Sequence, residues 1–488
     1  MSENNYKSIF KGTMLFGGVQ IFQILISFIR NKLNAIYLGP EGMGLIGLFN
    51  SSLTIIITIA TMGVTSSIVR YVANEASEDK KISLIKCGKI VLLIQSFFGM
   101  LITICLSSFL SKSTFNSTDY IIHYLILSIF VYVSITNNGN MSIIQGKQET
   151  KRIARANIFS SFIGLVAAVP LLIFTGIKAV IPIMIITPTI SMLYTDISIR
   201  KIIKNNVQSI TKVEVANIAK LFLSYGIVVT LAQLIGTVAD YFINIFVSRN
   251  GGVSDIGFYN SGMSITYQCI GLVFNAMSID YSPKLTAVCD DNQKMNDLIN
   301  QQGVITLLLS IPILSGMMVF SPLMIRIFLA KTFLPITSFI QIIILGMFFK
   351  AVTFCLGTVS FAKGDKKIFF FFEGVYGTLQ RFILSIIGYK LGGLEGLAWA
   401  FVINFFIYLC TVSFLCIKRY KFKPSKEYMI ISLLGAISFL IIFLATRLSN
   451  TYIFIFEIII FVIICVVSLY QLEKRIQILE YLKHRVKR

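Results

Sequence analysis

The chain has 488 residues, of which 56% are hydrophobic and only 13% are charged. Soluble domains contain roughly a quarter charged residues, and disordered chains combine low hydrophobicity with high charge, so this composition excludes both classes. A transmembrane helix needs about 20 mainly apolar residues. We therefore expect a polytopic membrane protein, in which the net charge of +21 must be explained by the location of the basic residues.

Long apolar runs between charged residues predict fourteen membrane-spanning helices and an all-α fold. The runs are continuous rather than alternating over about ten residues, which excludes a β-barrel. The predicted spans cover residues 12–36, 43–69, 88–110, 120–142, 156–176, 178–198, 219–247, 257–280, 300–320, 338–361, 368–389, 392–416, 428–448 and 451–471. The loops between them are short and leave no room for a folded domain outside the membrane.

The basic residues are distributed unevenly over the alternate loops. Of the 43 Lys and Arg residues, 32 fall on one side, nine on the other, and Lys350 and Arg381 lie within spans. The positive-inside rule then places both termini in the cytoplasm. Because this topology accounts for the net charge, we do not expect nucleic acid as a partner. We expect no cleavable signal peptide, and an amphipathic helix on the inner leaflet for residues 472–488.

The residues that usually carry catalysis or bind metals are sparse. The eight cysteines are scattered without a CxxC pair, so neither a disulfide framework nor a metal site is expected. The chain has two histidines, His123 and His484, and neither is paired with an acid at a catalytic spacing. We therefore expect that the protein is not an enzyme and has no cofactor.

A repeat divides the chain. Residues 46–51 (IGLFNS) recur as residues 256–261 (IGFYNS), and three weaker matches occur at similar offsets. This pattern predicts two parallel six-helix bundles, residues 1–211 and 212–420, followed by two extra helices and the basic tail in residues 421–488. Halves of this kind are expected to rock around a central site.

Polar stripes mark the spans that we expect to face this site. Span one carries polar residues at helical spacing, and each position 210 residues later, in span seven, is also polar. Span eight carries a similar stripe. The stripes comprise Gln20, Gln23, Ser27, Arg30 and Asn34; Thr230, Gln233, Thr237, Asp240 and Asn244; and Ser261, Ser264, Gln268 and Asn275. Small hydroxyl residues can also serve helix packing, but Gln, Asn and charged residues favour a hydrated central cavity lined by spans one, two, seven and eight.

Ionisable residues at membrane depth are costly and are therefore candidates for function. Lys350 lies midway along span ten, and Glu373 and Arg381 lie two turns apart in span eleven. For Arg30 the alternative is that the side chain snorkels to the interface, and for Glu373 and Arg381 the alternative is a mutual ion pair. Cations in a cavity indicate an anionic substrate, with phosphate the usual partner of Arg and Lys.

These patterns predict two sets of site residues. The predicted substrate-binding residues are Arg30, Lys350, Arg381, Gln23, Gln233, Asn244 and Asn275. The predicted ion-coupling residues are Asp240 and Glu373, which could exchange H⁺ or Na⁺ against the substrate.

The chain resembles Wzx-type O-antigen flippases, of the polysaccharide transport family in the multidrug/oligosaccharidyl-lipid/polysaccharide exporter superfamily. The resemblance covers essentially the whole chain. It rests on the fourteen-helix layout with two six-helix halves, on residues 38–44 (LGPEGMG) before span two, and on residues 145–147 (QGK) after span four. It implies a MATE-like fold.

The resemblance also implies a function. Such a protein moves an undecaprenyl-pyrophosphate-linked O-antigen repeat unit from the cytoplasmic to the periplasmic leaflet by alternating access, among membrane lipids. Its implied partners include an O-antigen polymerase and a chain-length regulator. The alternatives are a peptidoglycan-precursor flippase, a drug/cation antiporter, and, from a different class, a polytopic enzyme of the O-antigen pathway.

Overall fold

The computed structural model describes residues 22–203, 211–448 and 451–476. These residues form helices joined by short turns and contain no β-strand, which confirms the all-α prediction. Gln20 of the first stripe and residues 477–488 of the predicted tail lie outside the described residues. The contacts within the chain divide it into two compact units, one ending at Asn260 and the other beginning at Ser261.

Nine α-helices and the start of a tenth belong to the first unit. They are α1 (residues 22–37), α2 (Gly39–Thr61), α3 (Val64–Asn74), α4 (Glu78–Cys105), α5 (Ser107–Phe115), α6 (Ile121–Gly146), α7 (Thr150–Thr175), α8 (Val180–Ile203), α9 (Lys212–Gly251) and α10 (Val253–Val288). A 3₁₀ turn, Gly176–Ala179, joins α7 to α8.

The second unit begins within α10 and holds the remaining helices. They are α11 (Asn292–Val319), α12 (Ser321–Phe328), α13 (Thr337–Gly357), α14 (Val359–Ala362), α15 (Lys366–Phe369), α16 (Gly377–Tyr420), α17 (Lys426–Ala445) and α18 (Thr451–Ile476). A 3₁₀ segment, Lys331–Ile336, precedes α13, and a π-helical segment, Phe370–Tyr376, joins α15 to α16. The boundary between the units differs from the predicted repeat boundary at 211/212, and the duplication itself stays a prediction.

Nine segments of the described chain are long and apolar enough to cross a membrane. Two of them, Lys151–Ile203 and Lys366–Tyr420, have 53 and 55 residues, more than twice the length that one crossing requires. Each is interrupted near its middle, the first at Gly176 and the second at Gly392 and Gly393, where the backbone leaves the helical conformation. Both therefore have the length of two spans, and the total of fourteen stays a prediction.

Close backbone contacts hold α2 against the start of α10 in the first unit. A methyl group on Gly257 would lie 1.8 Å from the carbonyl oxygen of Pro40, and one on Gly44 would lie 1.9 Å from that of Val253. Both glycines belong to the short motifs noted in the sequence. Because glycine has no side chain, the backbones of the two helices can approach closely. Small residues have the same effect at other helix interfaces in membranes.

In the second unit, α13 packs along α16, and α11 packs against α13, α17 and α18. The α16 helix is divided by Gly392 and Gly393, the latter with φ of 56°, a conformation that favours glycine. The two halves of α16 then approach at Gly388 and Gly396, where a methyl group on either glycine would collide with the backbone of the other. This hairpin brings residues from both halves of α16 to one side of α13.

Candidate functional site

A cavity of about 620 Å³ lies in the second unit between α13, the π-helical segment and the two halves of α16. Its walls are mostly apolar and aromatic, and three of the predicted charged residues line it: Lys350, Glu373 and Arg381. A cavity of this size in which charged and polar side chains converge between apolar walls is typical of a ligand-binding site.

Lys350 projects from the middle of α13 among aromatic rings. Its Nζ atom lies 4.4 Å from the ring centroid of Tyr267, 5.5 Å from that of Phe405 and 5.9 Å from that of Phe274. The faces of aromatic rings attract a cation within about 6 Å. These rings therefore stabilise the ammonium group where water is scarce, yet they supply no opposite charge to neutralise it.

Glu373 lies in the π-helical segment at the other wall of the cavity. Its carboxylate accepts a short hydrogen bond from the hydroxyl group of Tyr408, which belongs to the second half of α16. Single π-helical turns occur frequently at functional sites. The bond ties the π-helical segment to α16 and fixes the position of the carboxylate.

Arg381 lies two turns beyond Glu373, in the first half of α16, beside a polar contact between the two halves. The side-chain amide of Gln380 donates to the backbone carbonyl of Asn404 at 3.1 Å and to its side-chain oxygen at 3.2 Å. Both residues line the cavity. The Oε1 atom of Gln380 is buried and has no hydrogen-bond partner among the described residues. The amide group of Gln380 thus joins the two halves of α16 at the wall of the cavity.

The cavity thus contains two cationic side chains and one acidic side chain. An anion with several oxygen atoms could bind both cations, because an ammonium and a guanidinium each form charge-assisted hydrogen bonds to phosphate oxygens. The carboxylate of Glu373 could bind a proton or a small cation. All three are among the predicted site residues, and their roles stay predictions.

The other predicted site residues do not line this cavity. Gln23 and Arg30 lie on α1 and are partly buried, and Asn244 on α9 is buried. The side chains that are exposed are those of Gln233, Asp240 and Asn275. The proposed roles of these six residues in the substrate or ion site stay predictions.

A polar cluster in the first unit contains none of the predicted site residues. Lys89 on α4 forms an ion pair with Asp196 on α8 and donates a hydrogen bond of 2.7 Å to Asn140 on α6. The amide of Asn140, which is fully buried, in turn donates to Asp196 at 3.0 Å and to Thr195 at 3.2 Å. The cluster joins three helices.

A metal site has little support in the described part of the chain. Among residues 22–203, 211–448 and 451–476, no group of three or more His, Cys, Asp or Glu side chains is placed to hold a metal ion. The eight cysteines are all free thiols.

Comparison with solved structures places this fold among known transporters. The chain is similar to a lipid II flippase, MurJ, in an inward closed conformation, with a TM-score of 0.71 and 18% identity over 94% of this chain and 99% of that one. It is similar to an inward-facing multidrug resistance transporter of the MATE family (TM-score 0.61, 16% identity, 88% and 96% of the two chains). A MOP superfamily transporter from Pyrococcus furiosus is also similar, with a TM-score of 0.58 and 16% identity over 90% of this chain and 97% of that one.

These likenesses show the fold, which is that of the MATE family and its superfamily, as expected from the sequence. No curated protein sequence matches the chain significantly. A family model described as polysaccharide biosynthesis protein matches residues 9–279, more than half of the chain. Together with the long apolar helices, this match identifies a multi-pass membrane protein that belongs to the polysaccharide biosynthesis protein family.

Proposed function

We propose that this protein is a flippase that moves a lipid-linked oligosaccharide from one leaflet of the membrane to the other. The observation that carries the proposal is the cavity in which Lys350 and Arg381 lie together against apolar walls. A phosphate-bearing headgroup must leave water to cross a bilayer, and two fixed cations can replace part of its hydration. The family match and the structural likeness to a flippase both support this reading.

The specific substrate that we propose is an undecaprenyl-pyrophosphate-linked O-antigen repeat unit. In this proposal the pyrophosphate binds Lys350 and Arg381, the sugars contact polar groups such as Gln380 and Asn404, and the polyprenyl chain stays in lipid. The direction is from the cytoplasmic to the periplasmic leaflet of a bacterial inner membrane, by alternating access. An O-antigen polymerase and a chain-length regulator would act on the product.

We further propose that transport is coupled to H⁺ or Na⁺. Glu373 is an acidic group within the same cavity as the two cations, so a proton or Na⁺ bound to it changes the charge that an anionic substrate meets there. Asp240, on α9, is the second candidate for this role. Gln23, Arg30, Gln233, Asn244 and Asn275 are proposed as further contacts of the headgroup or sugars.

A flippase for a peptidoglycan precursor is the nearest alternative, and it is favoured by the structural similarity to a lipid II flippase. It would use the same cationic cavity, because its substrate also carries a pyrophosphate. A drug/cation antiporter is less consistent with two cations in the cavity. The solved structures with a similar fold are those of a flippase and of transporters. This supports the expectation that the protein is not an enzyme.

The decisive experiment replaces both cations while preserving side-chain size. In a strain that lacks the gene, we expect Lys350→Gln/Arg381→Gln to abolish surface O-antigen display at normal protein levels. Each charge-assisted hydrogen bond contributes about 1.5–3 kcal/mol, so single variants should retain about a tenth or less of the activity. The matched control is Lys390→Gln, an exposed lysine outside the cavity. Normal display by the double variant would overturn the proposal.

Substrate identity is tested separately in proteoliposomes with fluorescent lipid-linked substrates. We expect flipping of the repeat unit that is linked to the lipid through pyrophosphate. We expect no flipping of a lipid that carries an uncharged sugar without the pyrophosphate. Efficient flipping of lipid II with no flipping of the repeat unit would favour the peptidoglycan alternative.

A further inference from the structure

A second cavity, of about 520 Å³, lies in the second unit at the end of the helix bundle where α11 ends and α18 begins. The end of α17, the α12 helix and the start of α13 complete its walls. None of the residues that line it belongs to the cavity around Lys350. By the predicted topology this is the periplasmic end of the helices.

The cavity contains a buried carboxylate. Glu457, in the second turn of α18, lines the cavity and is only 5% exposed. It forms no hydrogen bond or ion pair with any residue that the structure describes. A buried charge without a partner is strongly unfavourable, so this carboxyl group is stabilised either by protonation or by a cation from outside the chain.

The walls around Glu457 suit an ammonium group. Phe320 and Phe454 both line the cavity and offer aromatic rings to a cation. Gln341, also in the wall, is held in place because its amide donates a hydrogen bond of 3.0 Å to the hydroxyl group of Ser321. Apart from Arg326 and Thr446 the rest of the wall is apolar, and Glu457 is the acidic group among the residues that line this cavity.

A basic residue lies in the same cavity. Arg326 on α12 lines it and is exposed, whereas Glu457 is buried. A ligand that enters this cavity therefore meets a guanidinium group at the exposed part of the wall and a carboxylate in the buried part. The two charges are opposite in sign, which matches a zwitterion that carries a phosphate and an ammonium group.

We propose that this cavity binds the headgroup of a phospholipid with a primary amine, whose ammonium group pairs with Glu457 and whose phosphate lies at Arg326. The acyl chains remain in the surrounding bilayer. A primary ammonium group can donate hydrogen bonds to the carboxylate, whereas a choline group has no N–H to donate. A glycerol headgroup offers phosphate but no cation. The site is thus selective for the ethanolamine headgroup, and it is separate from the proposed transport cavity.

Lipid binding to the purified full-length protein tests this directly. Native mass spectrometry in detergent would count adducts of ethanolamine, choline and glycerol phospholipids that have identical acyl chains. We expect the first ethanolamine phospholipid to bind about tenfold more tightly than the choline lipid, because the choline lipid lacks a charge-assisted hydrogen bond. Glu457→Gln should remove this preference, and Arg326→Gln should weaken binding of all three lipids at this site.

The control for Glu457 is Glu395→Gln, an exposed glutamate in the same unit. It should leave the preference for the ethanolamine headgroup unchanged. Equal binding of the ethanolamine and choline lipids by the unmodified protein would overturn the proposal. A preference that survives Glu457→Gln would do the same.

Thermal unfolding gives a second measurement that does not depend on counting adducts. Without added lipid, Glu457→Gln should raise the midpoint of unfolding, because it removes an unpaired buried charge. The ethanolamine lipid should raise the midpoint of the unmodified protein and have a smaller effect on Glu457→Gln. A lower midpoint for Glu457→Gln without lipid would mean that Glu457 already has a partner in the chain, and it would contradict the proposal.

Discussion

The ammonium group of Lys350 lies 4.4 Å from the centre of the Tyr267 ring, so the lysine is held by an aromatic face. Tyr267 comes from α10 and Lys350 from α13, and Phe405 from α16 supplies another ring at 5.5 Å. Such an arrangement keeps the cation in an apolar region while leaving it able to bind an anion. A carboxylate partner would have neutralised the charge instead.

The aromatic contact leads to the first prediction. Tyr267→Leu should weaken transport several-fold, because a cation–π contact contributes about 0.5–2 kcal/mol and the substitution removes it. Tyr267→Phe keeps the ring and should retain most of the activity. Initial rates of flipping in proteoliposomes measure the difference. Equal loss in both variants would show that the hydroxyl group matters and the ring does not.

The bond between Tyr408 and Glu373 leads to the second prediction. If Glu373 binds the coupling ion, Glu373→Gln should abolish the dependence of transport on pH or Na⁺, because the amide cannot exchange a proton or attract a cation. Tyr408→Phe removes only the hydrogen-bond donor, so it should alter the dependence without abolishing it. Flipping rates measured across a pH series and a Na⁺ series would show this. An unchanged response in Glu373→Gln would leave Asp240 as the candidate.

The sequence was sufficient to find the charged residues of the cavity but not their surroundings. Lys350, Glu373 and Arg381 stand out in the sequence because a charge at membrane depth is costly wherever the helix packs. The break in α16 at Gly392 and Gly393, which the sequence indicates through the division between spans eleven and twelve, brings Phe405 and Tyr408 to the same cavity.

Other features depend on contacts between distant parts of the chain. The rings around Lys350 come from α10 and α16, and aromatic residues are too frequent in this chain for a pattern to single them out. Asp196 lies near the end of a predicted span, where acids are usually solvated, so its position does not indicate an ion pair. Its pairing with Lys89 requires that α4 and α8 lie side by side, which local sequence does not encode.

The hairpin within α16 leads to the third prediction. Gly388→Leu should lower the free energy of unfolding by at least about 1–3 kcal/mol. The Cβ atom of the new side chain would lie 2.4 Å from the carbonyl oxygen of Gly396. The substitution should also reduce transport, since the two halves of α16 form walls of the cavity. Gly392→Ala is the matched control, because no atom lies within 4 Å of an added methyl group there. Unfolding midpoints in one detergent would compare the two variants, and similar midpoints would argue against the close packing.

The cluster around Asn140 leads to the fourth prediction. Lys89→Met and Asp196→Asn should each destabilise the protein, because each leaves a half-buried charge without its partner. The double variant should be less destabilised than the sum of the two, with a coupling energy of about 0.5–3 kcal/mol. Arg200 also contacts Asp196, at 3.5 Å, but is 82% exposed, so Arg200→Gln should have little effect. Additive effects of Lys89→Met and Asp196→Asn would contradict a direct ion pair.

The turn before α15 leads to the last prediction, which concerns pH. Asp365 accepts hydrogen bonds from Nε of Arg419 at 2.8 Å and from the hydroxyl group of Tyr420 at 3.3 Å. Partial burial acts to raise the pKa of Asp365, but the ion pair with Arg419 outweighs it and keeps this pKa below its ordinary value.

A carboxyl group with a depressed pKa in the folded state stabilises the protein above its unfolded pKa of about 3.9, and the contribution is lost as the pH falls through the folded value. Asp365→Asn should therefore lower the unfolding midpoint slightly at pH 7. The midpoints of the variant and the unmodified protein should converge as the pH drops below about 4. Asp297→Asn, at an exposed position on α11, is the control and should show no such convergence. A constant difference between Asp365→Asn and the unmodified protein down to low pH would mean that the charge of Asp365 does not stabilise the turn.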